Sequence, residues 1–283
     1  MQFTPIITDD GSFTFFSPDF GEMFHSHHGA YQESLGKFII PTQLHQKAKK
    51  SDLYLLDICY GLGYNSAAAL MSIWDVNPNC IIHLMALELD INVPQTAIHH
   101  GLLNIWSDPI ARILTQLSLE QQITLHSLNA QLLLGDARQT ITTVYESGFK
   151  ADAIFLDPFS PPVCPQLWTV DFLSIVAKSL KQDGLLATYS CAASVRNALI
   201  LAGLHIGSSP PVGRRSPGTI ASYCPLDPLS PAEQEHLLTR AGIPYRDYSL
   251  SDSGTIILQR RIQEQQKSTL EPTSRWRKRW IDS

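Results

Sequence analysis

At 283 residues, 44% apolar and 17% charged, the chain can form one large α/β domain with embellishments or two small domains, and it is too apolar to be disordered. It shows no charged start ahead of an apolar core and no uncharged apolar run long enough for a membrane span, so it reads as neither secreted nor membrane-embedded. A net charge of −5 argues against a body coated by nucleic acid, and five scattered cysteines without a Cys-x-x-Cys pair read as reduced thiols of a cytoplasmic protein.

Residues 1–50 read as an N-terminal cap. Gly11-Ser12 lies between Thr8-Asp9-Asp10 and Phe13-Thr14-Phe15-Phe16, which predicts a β-hairpin. His25, His27 and His28 follow closely, but no further ligand stands at metal spacing, so this segment reads as a loop that can line a site. Tyr31 to Ile40 has helical promise.

Residues 51–225 read as a central α/β domain. Leu53 to Ile58 is a first buried strand, followed by Cys59-Tyr60-Gly61-Leu62-Gly63-Tyr64-Asn65 and a helix from Ser66 to Trp74. A second strand, His83 to Leu89, delivers Glu88, 25 positions beyond Gly63. Ile91 to Leu119 is helical with an interruption at Asp108-Pro109. A third strand, Gln131 to Leu134, leads into Gly135-Asp136 and a helix from Gln139 to Tyr145. A fourth, through Ala153 to Leu156, ends at Asp157 in a turn stiffened by Pro158 and Pro161. A helix around Leu167–Leu180 stops at Gln182-Asp183-Gly184, strand five runs from Leu185 to Tyr189, and Ala192 to Ala202 is helical. This alternation predicts a doubly wound, Rossmann-like parallel sheet. Asp57, Glu88, Asp136 and Asp157 all fall at strand ends, where open α/β sheets bind ligands.

Residues 226–283 read as a C-terminal extension. Beyond a rigid basic loop holding Arg214 and Arg215, a strand runs from Thr219 to Tyr223. Ser230-Pro231-Ala232-Glu233 opens a capped helix reaching Ala241, and Thr255 to Leu258 is a candidate last strand. Residues 260–283 hold seven basic and three acidic side chains, a basic tail of +4 that closes on Trp276-Arg277-Lys278-Arg279-Trp280. Charge alone fits a solvated terminus as well as a polyanion footprint.

Gly61 and Gly63 let backbone approach a nucleotide-like ligand, Glu88 suits ribose hydroxyls, and Asp136 suits an adenine amino group. Asp57, just ahead of the glycines, would repel a pyrophosphate but suits the amino group of a methionine moiety. This favours S-adenosylmethionine over a dinucleotide. Asp157, a carboxylate on stiff backbone at a strand end, is placed to meet a substrate.

The string Asp57–Asn65, Leu156-Asp157-Pro158-Phe159-Ser160-Pro161 with Pro165 and Leu167-Trp168-Thr169, Thr188-Tyr189-Ser190 with Val195-Arg196, and Gly213-Arg214-Arg215 resembles the methyltransferase domain of the MnmC family. The likeness runs from near His28 to about Ala221, with Cys59 where the family loop has its first glycine and Pro158 where MnmC has a glycine. The resemblance implies S-adenosylmethionine-dependent N-methylation of the 5-aminomethyl group of a wobble uridine, on the way to 5-methylaminomethyl-2-thiouridine in tRNA. The chain is too short to include the family's FAD-dependent oxidase domain, so it resembles the stand-alone form. A separate enzyme would then supply the aminomethyl intermediate.

On that reading Asn65 joins the cofactor site, and Asp157 stabilises positive charge moving onto the attacking amine. A carboxylate and an aliphatic amine differ by roughly 6 units in reference pKa, which makes strong general base a poor description of Asp157. Phe159 and Tyr189 would wall the base, Trp168 would pack the core, and Arg196, Arg214, Arg215 and the tail would hold tRNA phosphates. The competing readings are a small-molecule amine methyltransferase or aminopropyltransferase and, from another class, a non-catalytic tRNA-binding module. An adenine-N6 DNA methyltransferase ranks below these because the second proline is not adjacent to Pro158.

Overall fold

The computed structural model describes residues 3–213 and 216–281. Its strands are β1 (Pro5–Ile7), β2 (Phe13–Ser17), β3 (Glu22–Met23), β4 (Asp52–Ile58), β5 (Ile81–Glu88), β6 (Gln122–Leu125), β7 (Leu128–Leu134), β8 (Ala151–Leu156), β9 (Leu180–Thr188), β10 (His205–Ser209) and β11 (Gly218–Ser222). The first three form a small antiparallel sheet that includes the expected hairpin. The other eight form one sheet in the order β10-β11-β9-β8-β4-β5-β7-β6.

The central pairs β7·β5, β5·β4, β4·β8 and β8·β9 are parallel, and β6, β11 and β10 add antiparallel edges. From β4 the chain first builds outward through β5 and β7, then returns to lay β8 on the other flank of β4. The β4–β8 junction is therefore the topological switch point, where the crevice of such a sheet opens. The backbone N–H of Asp157 donates to Ile58 O at 3.2 Å, extending the ladder by one step to the rim of that crevice.

Both faces of β8 are buried along all six residues, as expected of a central parallel strand. Ala153 and Phe155 enter the core on one face, Ile154 and Leu156 the core on the other. Helix Tyr64–Val76 buries Ala67, Ala68, Ala69 and Leu70 against the first face, and Val170–Lys178 buries Phe172, Leu173 and Val176 against the second.

Several expectations are corrected in detail. Thr255–Leu258 is not a strand: it belongs to helix Gly254–Lys267, capped by Ser253, whose hydroxyl accepts from Ile256 N. A three-residue apolar run mimics a strand, but Ile257 is buried while Ile256 is 45% exposed, and the residues beyond are strong helix formers. Gln182-Asp183-Gly184 does not stop a helix but lies within β9, beside a register shift between Ala151 and Ala153. A Cβ on Gly184 would sit 2.8 Å from Ala151 O, so that close approach of backbones requires glycine. Pro109 begins a helix, Asp108–Glu120, instead of interrupting one, and the helix opened by the Ser230–Glu233 capping box ends at Leu237. Strands β6 and β10 are too short and polar to show a pattern.

Candidate active site

Where β4 ends, the chain turns through Cys59, Gly61 and Gly63 with φ of 70°, 56° and 82°. These left-handed conformations suit glycine, so Cys59 carries strain that glycine would not. Leu87 O accepts from both Cys59 N (3.0 Å) and Tyr60 N (2.9 Å), pinning the loop to the end of β5. The Gly61 N–H donates to Glu88 Oε2 at 2.7 Å, and Glu88 Oε1 accepts from Asp90 N at 2.9 Å.

Asp57 is fully buried beneath this loop. Ser66 Oγ donates to its Oδ2 at 2.6 Å, while its Oδ1 has no partner in the structure. Burial pushes its pKa up to about 7, and the nearby Glu88 charge adds to the rise. Glu88 is also raised by burial, against the pull of backbone N–H bonds from Asp90 and Gly61.

Asp157 sits beyond β8, with Asn65 Nδ2 donating to its Oδ2 at 3.0 Å. Asn65 Oδ1 has no partner. Loss of solvation in the cleft lifts Asp157 well above the usual carboxylate range, with the Asn65 bond opposing the rise. Asp157, Asn65, Gly61 and Glu88 line one cleft of about 490 Å³.

A large part of that cleft comes from the N-terminal cap, of which the sequence pointed only to the histidine loop as a site lining. Phe20 stacks on Phe159 at 4.4 Å and 20°, and Phe24 meets the same ring edge-on at 5.0 Å. Glu22 accepts from Ser160 N at 2.9 Å and from Ser160 Oγ at 2.5 Å, clasping the proline turn. His25 lines the cleft with its pKa pushed down to about 4 by burial, so it is neutral at physiological pH. Glu33 and Lys37 form a buried ion pair on a π-helical turn, Ser34–Ile39, that follows helix Ala30–Glu33. The clustered phenylalanines and histidines were the available signal.

Tyr189 and Phe159 both line the cleft, as expected, and Tyr189 OH donates to Pro158 O at 2.8 Å. Trp168 is fully buried and donates from Nε1 to Phe159 O at 2.8 Å, so it packs the core while fixing the Phe159 backbone. Among the described residues no group of His, Cys, Asp or Glu could hold a metal ion.

Two expectations fare differently. Arg196 is 2% exposed and cannot grip a phosphate: its guanidinium donates to Glu233 Oε1 (2.8 Å), Ser208 Oγ (2.8 Å), Thr219 Oγ1 (3.0 Å) and Gly218 O (3.2 Å). It binds the helix Ala193–Leu201 to β10, β11 and the C-terminal extension. Asp136 is not part of the cleft lining. It caps helix Ala137–Glu146, and both oxygens accept from Arg138, which also reaches Asp247 Oδ2 at 2.7 Å. Arg214 and Arg215 lie outside the described residues.

The solved structure of MnmC2 from Aquifex aeolicus superposes on this chain with a TM-score of 0.82 and 35% identity, covering 94% of this chain and 86% of that one. The chain belongs to the MnmC2 family. A family model described as S-adenosyl-L-methionine-dependent methyltransferase matches residues 100–224, and the protein is such an enzyme. An uncharacterized protein of Methanocaldococcus jannaschii is 31% identical over 92% of this chain and 72% of its own length. The tRNA 5-methylaminomethyl-2-thiouridine biosynthesis bifunctional protein MnmC of an Acidovorax species is 26% identical over 77% of this chain, which matches 35% of that protein's length. The chain thus spans about a third of the bifunctional relatives it matches.

S-adenosylmethionine, the cofactor of this MnmC2-type enzyme, is compatible with the residues at the glycine loop. The loop is open in left-handed turns, Glu88 faces the cleft beside Gly61, and the buried oxygens of Asp57 and Asn65 are left without partners. Carboxylates of raised pKa favour a ligand that carries positive charge, because a cation beside them restores the ionised form.

Proposed function

We propose that this enzyme methylates the 5-aminomethyl nitrogen of a wobble uridine in tRNA. The observation that carries the reading is Asp157: a carboxylate at the switch point, oriented by Asn65 and facing a cleft walled by Phe159, Phe20 and Tyr189. The aromatic walls suit a flat base, and the carboxylate suits an amine attached to it. The name of the bifunctional relatives, which refers to biosynthesis of a modified tRNA uridine, supports the same substrate class.

When bound, S-adenosylmethionine supplies a methyl group made electrophilic by its sulfonium. Asp157 accepts an N–H of the attacking amine and holds its lone pair in line with that methyl, and such positioning supplies much of the rate. As the methyl's bond to sulfur broke, releasing S-adenosylhomocysteine, and the new C–N bond formed, the nitrogen would gain positive charge, which the adjacent carboxylate would stabilise. The ammonium product must then lose a proton. Burial raises Asp157 and narrows the roughly 6-unit gap between carboxylate and amine, which favours passage of that proton through Asp157 to solvent. Glu88 and Gly61 would hold the ribose end of the cofactor and Asn65 its methionine end, while Asp57 is buried outside the cleft lining and would act only through the loop above it.

In the C-terminal extension, helix Thr273–Trp280 is fastened by Trp276, which stacks on His236 at 4.0 Å and donates to Ala232 O at 2.8 Å. Its exposed Arg275 and Lys278 would meet the phosphate backbone together with Arg214 and Arg215. The test is transfer of labelled methyl from S-adenosylmethionine to tRNA carrying the aminomethyl wobble uridine. Incorporation that disappears in Asp157→Asn supports the proposal; none with the unmodified protein, despite intact cofactor binding, would redirect it to a small amine.

A further inference from the structure

The cleft holds a buried cation that nothing in the proposed chemistry yet uses. Its lining includes six carboxylates, Asp19, Glu22, Glu33, Glu88, Asp90 and Asp157. Against them, Lys37 is the one lysine or arginine among the described lining residues, and His25 is neutral. The Lys37 side chain is only 8% exposed, and taking an ammonium out of water is costly unless something inside repays it.

Glu33 repays part of that cost, and the pair is locked. Ser26 N (3.2 Å) and Ser26 Oγ (2.5 Å) both donate to Glu33, so the carboxylate cannot swing away to neutralise something else. An ammonium has three donors, and Glu33 Oε1 takes one. No other acceptor for Lys37 is found among the described residues. The turn that carries it is π-helical, a rare geometry that recurs at functional sites and here turns Lys37 into the cleft. Lys37 lines the same cleft as Asp157.

S-adenosylmethionine ends in an α-amino acid head, one ammonium and one carboxylate. A cleft rich in carboxylates suits its sulfonium and its ammonium but repels its carboxylate. We propose that Lys37 is the binding residue for that carboxylate, with its two spare N–H donors making charge-assisted bonds to it. Glu33, fixed by Ser26, acts as a positioning residue that aims the ammonium. This inference concerns the cofactor and stands whether the methyl acceptor is tRNA or a small amine.

The experiment pairs two ligands that differ only in the carboxylate, S-adenosylhomocysteine and its decarboxylated analogue, titrated calorimetrically into the full chain. The unmodified protein should bind S-adenosylhomocysteine roughly 10- to 100-fold more tightly. In Lys37→Met that advantage should collapse to within about threefold, through loss of affinity for S-adenosylhomocysteine while the analogue binds as before. The analogue's unchanged affinity in the variant also reports an intact site. Equal affinities of the unmodified protein for the two ligands would overturn the proposal without any variant. So would a Lys37→Met protein that loses both ligands equally or keeps the full discrimination. Lys37→Arg, which preserves the charge, should retain at least part of the preference, and its complete loss there would also count against the assignment.

Discussion

Asn65 Nδ2 donates to Asp157 Oδ2 at 3.0 Å, tying the first turn of the helix after the glycine loop to the proline turn after β8. In the proposed reaction the bond would join the cofactor half of the cleft to the substrate half and leave the other carboxylate oxygen for an amine. Asp157→Asn should leave the fold and cofactor binding intact and lower the methyl-transfer rate by ~100-fold or more, the scale seen when one preorganised electrostatic group is removed. Asn65→Ala, which frees the carboxylate to rotate, should cost less, about tenfold. Single-turnover rates at saturating cofactor would measure both, and an Asp157→Asn enzyme of undiminished rate would remove Asp157 from the chemistry.

Asp57 makes stability depend on pH in a direction unlike that of a salt-bridged carboxylate. Its pKa rises from an ordinary 3.8 to about 7 on folding, so the folded state binds its proton more tightly than the unfolded chain does. Stability from this group is therefore fully present below pH 3.8 and is lost as pH climbs towards 7. Asp57→Asn keeps a neutral hydrogen-bonding group there, and its melting temperature relative to the unmodified protein should rise steadily between pH 4 and 7. A constant difference across that range would contradict the buried, protonated state.

Cys59 is a non-glycine residue with φ of 70° in the loop that the cofactor must approach. Relief of left-handed strain is worth roughly 1 kcal/mol, partly offset by the freedom glycine gains in the unfolded chain and by lost thiol burial. Cys59→Gly should thus be neutral to slightly more stable in denaturant titrations, whereas Cys59→Val, with a branched Cβ in the same conformation, should be clearly less stable. A Cys59→Val protein as stable as the parent would show that the loop relaxes at no cost.

Arg196 offers a clean separation of roles. Arg196→Ala leaves Glu233 without its buried partner and should cost about 3–5 kcal/mol of stability. With enough folded protein, the salt dependence of tRNA binding should keep its slope, because no phosphate contact has been removed. Arg275→Ala with Lys278→Ala should do the reverse, with little change in stability and a shallower slope. A shallower slope in Arg196→Ala at unchanged stability would restore it to the nucleic-acid surface.

The sheet was legible because β4, β5, β7 and β8 carry apolar stretches with a carboxylate within two residues of each strand's end, and those features repeat along the chain. Asp57, Glu88 and Asp157 could be located for the same reason. Arg196 was misread because its charge alone suggested a phosphate partner, while its actual partner, Glu233, lies 37 positions away. Glu33 and Lys37 were invisible because a π-helical turn has no hydrophobic period to betray it. Thr255–Leu258 failed for want of context, since a short apolar run is compatible with either strand or helix until its neighbours are packed.

The clasp between Glu22 and Ser160 spans 138 positions of sequence. During synthesis the segment carrying Phe20, Glu22 and Lys37 leaves the ribosome long before its counterpart, and has only its small antiparallel sheet to lean on. The wall cannot be finished until β8 and the proline turn behind it are in place to meet that early segment. Assembly of the reaction chamber is thus a late event in the life of the chain, and a nascent protein can hold most of its architecture while still lacking the means to enclose a substrate.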